Sequence, residues 1–202
     1  MLKAGRLVWL VPFLGASPAQ AHAPFPGLEG FYIGLLHPFS TPSQAAMMIG
    51  VAFAVGGFGV EKARWQLASF LIASFAGLFL GSASMDLDQV MFAVAFVACA
   101  FAALAAGKLA PAVIGLTAVS GFLIGSASIP DAGPARDRLF TMSGSMVGAN
   151  VGLLYIFGLV NVVRERYTWH WVGIAFRVAA AWLGAIALLM LALGFAQGEA
   201  PQ

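Results

Sequence analysis

The chain has 202 residues, of which 61% are hydrophobic and 9% charged, with a formal net charge of +2 and a mean hydropathy of +0.92. Soluble domains carry about 25% charged residues, so a water-soluble fold is excluded on composition. The small net charge, without any basic run or basic–aromatic stripe, argues against nucleic acid as a partner.

The N-terminus reads as a secretory signal. Lys3 and Arg6 form a positive segment, Leu7 to Leu14 a short apolar segment interrupted by Pro12, and Ala19-Gln20-Ala21 a small-residue cleavage site. The expectation is a signal peptide over 1–21, a single transmembrane domain over 22–202 and His22 as the mature N-terminal residue. The other reading is an uncleaved anchor.

Six apolar segments follow. The first runs from Leu28 to Gly59 and contains Pro38 and Pro42. The residue before a proline is pushed out of the helical region. A half-helix from Glu29 to about His37 is therefore expected to break there, with a full helix from Ser43, as N-cap, to Gly59. The second segment is Trp65–Ala83, the third Gln89–Gly107 and the fourth Leu109–Ser128, with Pro111 in a tolerated first turn. The fifth is Leu139–Val163 and the sixth Trp169–Ala196. Uniformly apolar runs have no diagnostic period, so length decides: these match spanning helices, whereas barrel strands would be about half as long and alternate. The expected fold is an all-α polytopic membrane bundle of about six transmembrane helices with a broken first helix.

Gly77-Leu-Phe-Leu-Gly81-Ser-Ala-Ser-Met85 recurs 44 residues later as Gly121-Phe-Leu-Ile-Gly125-Ser-Ala-Ser-Ile129, each copy followed by an acid, Asp86 or Asp131. The recurrence suggests a parallel repeat, 43–86 and 87–131, with both serine motifs at the outer side; chance recurrence of small residues at packed helix ends is the alternative. Gly77/Gly81, Gly121/Gly125 and Gly144/Gly148/Gly152 form ridges of small residues that let helices approach closely in lipid.

With His22 outside, the inner loops hold Lys62, Arg64, Lys108, Arg164 and Arg166. The outer loops hold Asp86, Asp88, Asp131 and Asp137 with Arg136 and Arg138. That distribution obeys the positive-inside rule, and Trp65, Tyr167, Trp169 and Trp171 lie at segment ends as interfacial aromatics do. A bacterial inner membrane with a periplasmic N-terminus is expected.

Charge at membrane depth is costly and usually functional. Only Arg177 stands within a span, where its long stem can snorkel to the inner interface. Neutral polar groups are more suggestive: Ser43 and Gln44 follow the proline break, and Thr141, Ser143, Ser145 and Asn150 lie on the fifth helix, with Ser143 and Asn150 on one face. Interhelical hydrogen bonds or a polar path are the two readings. His37 precedes a proline at a broken helix, the place where transporters expose backbone carbonyls to substrate, and its ring can ligate a metal. His22, once terminal, could offer a ring nitrogen and an amine to one ion. Cys99 reads as a small packing residue, and His170 needs no special role. No HExxH, Ser/His/Asp set or buried acid pair supports an enzyme, and no nucleotide-binding signature is present.

Gly30-Phe-Tyr-Ile-Gly-Leu-Leu-His37-Pro38-Phe resembles the opening motif of the HupE/UreJ family, approximately GFxxGxxHPxxGxDHLLAM, and the likeness continues through Gln44-Ala-Ala-Met-Met48, with Met48 on the family methionine. A second family motif, approximately FHGxAHGxE, aligns with Leu123 to Asp131. The resemblance implies a small bacterial membrane protein with a signal peptide, about six helices and a role in nickel or cobalt permeation. This chain departs from the family in its ligands: the Asp-His pair falls on Ser43 and Gln44, and the second motif's histidines on Ile124 and Ser128. By this resemblance substrate would meet His37, Ser43, Gln44 and Met48 at the broken helix, and Ser126, Ser128 and Asp131 at the second motif, with His37, His22 and Asp131 as the metal donors. The expected function is a permease for a transition-metal ion or another small solute; the alternative is a non-transporting subunit packing on a larger membrane complex. No tightly bound cofactor is expected, nickel or cobalt entering as cargo. The expected partners are the bilayer and a small ion or solute, with self-association or a larger complex left open.

Overall fold

The computed structural model describes residues 30–81, 86–130 and 133–198. The signal segment, His22 and Asp131 lie outside these residues. All regular structure in them is helical: α1 Phe31–Ser40, α2 Pro42–Val55, α3 Val60–Leu80, α4 Asp88–Leu104, α5 Ala110–Ala127, α6 Ala135–Arg166 and α7 His170–Gly198. Helices α3, α5, α6 and α7 are long and apolar enough to cross a membrane. Helices α2 and α4, with 14 and 17 residues, are apolar but shorter.

The break in the first span is real but sits one turn later than expected. Helix α1 runs through Pro38 and ends when Thr41 N–H donates to the His37 carbonyl at 3.1 Å. Thr41, at φ −94° and ψ 113°, is extended, as the residue before Pro42 should be. The second proline therefore makes the break, and its missing N–H is harmless at the first position of α2. Thr41, not Ser43, occupies the N-cap position, and Ser43 is left inside the helix with its hydroxyl available.

Two other boundaries move outward. Helix α3 begins at Val60 rather than Trp65, and α6 at Ala135 rather than Leu139. The added turns contain Glu61, Lys62 and Arg64 in one case and Arg136, Asp137 and Arg138 in the other. Hydropathy does not mark these residues as spanning, yet Lys, Arg and Glu are good helix formers, and Glu61 and Asp137 favour the positive helix N-terminus.

Helix pairs that run in the same direction pack through glycine. Along α6, a Cβ on Gly144 would meet the Phe31 carbonyl, one on Gly148 the Leu35 carbonyl, one on Gly152 the Phe39 ring and Met48, and one on Gly56 the Val160 side chain. The broken span α1–α2 thus follows α6 from end to end. Likewise Gly121 faces Phe70, Gly125 faces Ser74 and Gly77 faces Phe122, which sets α3 alongside α5. Gly50 faces Ala95, setting α2 alongside α4. Gly81 lies against Ser126, so the two glycine–serine motifs meet at the same end of the bundle. In lipid no hydrophobic drive joins helices, and such backbone-to-backbone approach supplies the packing.

Helix α2 is the centre. Ser43, Gln44, Met47, Met48, Val51, Ala52, Ala54 and Val55 are all buried, with neighbours on nearly every side. Helix α7 is peripheral: only 17% of its spanning window is buried.

Candidate functional site

The proline break brings four of the expected residues together. His37 lies in the last turn of α1 and Gln44 in the first turn of α2, and their side-chain Nε2 atoms stand 3.3 Å apart. An amide nitrogen has no lone pair to offer, so in this orientation the Gln44 amide donates and His37 Nε2 accepts. Gln44 is 2% exposed, and its Oε1 finds no hydrogen-bond donor among the described residues. An unpaired buried acceptor costs about 1–3 kcal/mol. One residue earlier, the buried Ser43 hydroxyl donates to Asp88 Oδ1 at 2.6 Å. One turn later on the Gln44 face, Met48 presents a thioether at 1% exposure.

These groups form a graded line from surface to interior. Asp86 and Asp88 are exposed, and Asp86 Oδ1 accepts the Asp88 N–H at 3.1 Å. Ser43 and Gln44 follow, then Met48, and below them α2 is apolar through Val51, Ala52 and Val55. The exposed end of this line carries carboxylates, and the buried groups are neutral oxygen, nitrogen and sulfur. Carboxylate, imidazole, amide and thioether suit a cation of borderline softness. Among the described residues, no group of three His, Cys, Asp or Glu side chains could hold a metal ion.

Ser126 and Ser128 form a separate cluster on α5. Ser126 Oγ donates to the Phe122 carbonyl at 2.9 Å and approaches the Gly77 carbonyl at 3.3 Å. Ser128 Oγ donates to the Ile124 carbonyl at 2.7 Å and lies 2.7 Å from Ser145 Oγ on α6. Deeper, Asn150 Nδ2 donates to Ser74 Oγ of α3 at 3.2 Å. These bonds tie α3, α5 and α6 together. Of the polar face expected on α6, Asn150 and Ser145 point inward, while Ser143 is exposed and bonded to the carbonyl of its own turn.

Asp88 is the residue that sequence reasoning missed, treated there only as a loop charge. Arg177 is exposed, and its Nε donates to the Ala103 carbonyl at 2.6 Å, at the negative C-terminal end of α4.

A family model described as HupE / UreJ protein matches residues 10–190. No curated protein and no solved structure matches the chain. The match spans both clusters and every helix but the end of α7. With four long apolar helices and a glycine-packed bundle, this chain is an integral membrane protein that belongs to the HupE/UreJ family.

Proposed function

We propose that the protein is a permease for a small cation, with a divalent transition metal such as nickel or cobalt as the substrate class. The observation that carries this reading is Gln44 Oε1: a buried carbonyl oxygen with no hydrogen-bond donor, beside His37 and one residue from the Ser43–Asp88 pair. A cation passing the break would satisfy that oxygen, and would reach His37 Nε2 by displacing the Gln44 amide N–H. Asp86 and Asp88 would collect cations at the mouth, and the family's membership supports the same class of cargo. The apolar α2 segment below Met48 means that passage requires the packing around Val51 and Val55 to open. The reading places the protein in the bacterial inner membrane with its N-terminus outside, without a resident cofactor and without enzymatic chemistry.

The test is uptake of labelled nickel or cobalt by cells with and without the chain. His37→Ala and Gln44→Ala should each reduce chain-dependent uptake while leaving the amount of protein in the membrane unchanged. Equal uptake with and without the chain, or with and without His37, would remove the proposal.

A further inference from the structure

The opposite end of the bundle holds a second arrangement that ion passage does not use. A cavity of about 260 Å³ lies where the ends of α4, α6 and α7 meet, lined by Ala106, Arg164, His170, Gly173, Ile174 and Arg177. Two guanidinium groups and an imidazole face it, and no carboxylate lines it. Arg177 spends its Nε on the Ala103 carbonyl, which fixes the guanidinium and leaves its other N–H groups for a ligand. Arg164 is held from the other side, its guanidinium 5.0 Å from the centre of the Phe176 ring, and its buried Nε has no hydrogen-bond partner. His170 and Gly173 belong to the first turn of α7, the end of a helix that carries partial positive charge. A Cβ on Gly173 would meet nothing within 4 Å, so the backbone there is open to a close approach.

Depth and surroundings say which anion fits. Tyr167, Trp169 and Trp171 lie in tilted ring contact at this end with ring centres 5.6 and 5.7 Å apart, and all three are exposed. Such rings sit at headgroup level in a bilayer. On the face of α7 that carries Arg177, Ile174 lines the cavity itself and Val178 continues the apolar track one turn further along the helix, each 49% exposed. A phosphate above and an apolar track below match one phospholipid molecule.

We propose that Arg164, His170 and Arg177 form a binding site for the phosphate of an anionic phospholipid, whose acyl chains lie along Ile174 and Val178. Bound there, the lipid bridges α4, α6 and α7 at a place where α7 otherwise packs only on one side.

The experiment uses the full chain in a mild neutral detergent and native mass spectrometry with added phosphatidylglycerol, phosphatidylcholine or inorganic phosphate. Phosphatidylglycerol should be retained in preference to phosphatidylcholine, and millimolar inorganic phosphate should not displace it. Each arginine near a membrane surface contributes about fivefold to binding of anionic lipid, so Arg164→Gln should weaken retention by about that factor and Arg164→Gln with Arg177→Gln by about 25-fold. Arg164→Gln leaves the Arg177–Ala103 bond in place and so remains informative if the double variant does not fold. Equal retention of the two lipids, or no change in Arg164→Gln, would overturn the site. Binding of inorganic phosphate that competes with the lipid would assign the cavity to a free anion and overturn the lipid proposal.

Discussion

Replacing Gly34 by alanine should detach α1 from α6 without unfolding the rest of the bundle. A Cβ there would collide with the Thr141 carbonyl oxygen, and would stand 2.8 Å from the Thr141 carbonyl carbon and 2.9 Å from Ser145 N. Carbon atoms in ordinary contact are about 3.5 Å apart or more, so clearing the Thr141 carbonyl carbon alone needs a retreat of about 0.7 Å, and clearing its oxygen, the nearest atom, needs more. The obstructing atoms are backbone in a long helix and cannot rotate away, which puts the overpacking cost near the top of the usual range, about 3 kcal/mol. Alanine's better helix propensity returns about 1 kcal/mol, leaving about 2 kcal/mol, a factor of about 30 in the docked population. Hydrogen exchange reads this directly. Amides of α1 should exchange about 30-fold faster in Gly34→Ala, whereas amides of α3 and α5 should not change. Because α1 carries His37, metal uptake should fall in the same variant. Gly115→Ala is the control: that position in α5 has nothing within 4 Å of an added Cβ, so the substitution should be neutral or slightly stabilising. If Gly34→Ala and Gly115→Ala behave alike, glycine approach does not hold α1, and the packing argument fails.

Two further outcomes follow from the polar clusters. Asp88→Asn removes the negative charge while leaving an amide oxygen to accept from Ser43, so the apparent KM for divalent cation uptake should rise severalfold; an unchanged KM would take Asp88 out of the path. Ser128→Ala and Ser145→Ala should be coupled in a thermal-unfolding double-mutant cycle by about 0.6 kcal/mol, and no more than about 1.7, the range for hydrogen bonds between membrane helices; simple additivity would show that the 2.7 Å contact contributes no pairwise stability.

The membrane character and the all-helical bundle were legible in the sequence because lipid imposes a one-dimensional rule, that a segment must be apolar and long enough to cross, although four of the six expected spans, α3, α5, α6 and α7, meet it among the described residues. The proline break was legible too, since Pro42 acts on its neighbour through local sterics, although Pro38 obeyed the same rule less strictly and remained within α1. The glycine spacing marked which surfaces would be close-packed.

What hydropathy could not supply was facing. A helix that is apolar all round has no moment to orient it, so nothing local distinguished Ser145, which points inward to Ser128, from Ser143 two positions earlier, which points out. Nor could it show that Asp88, written as a loop charge at the start of α4, would reach the hydroxyl of Ser43 on another helix. Composition and spacing, read one segment at a time, determined that this chain crosses a membrane and that its prolines break its first span, though not at which turn. Which polar groups meet was decided only by the tertiary structure, because in lipid the rotation of each helix is set by where its backbone can approach a neighbour, and that depends on both helices at once.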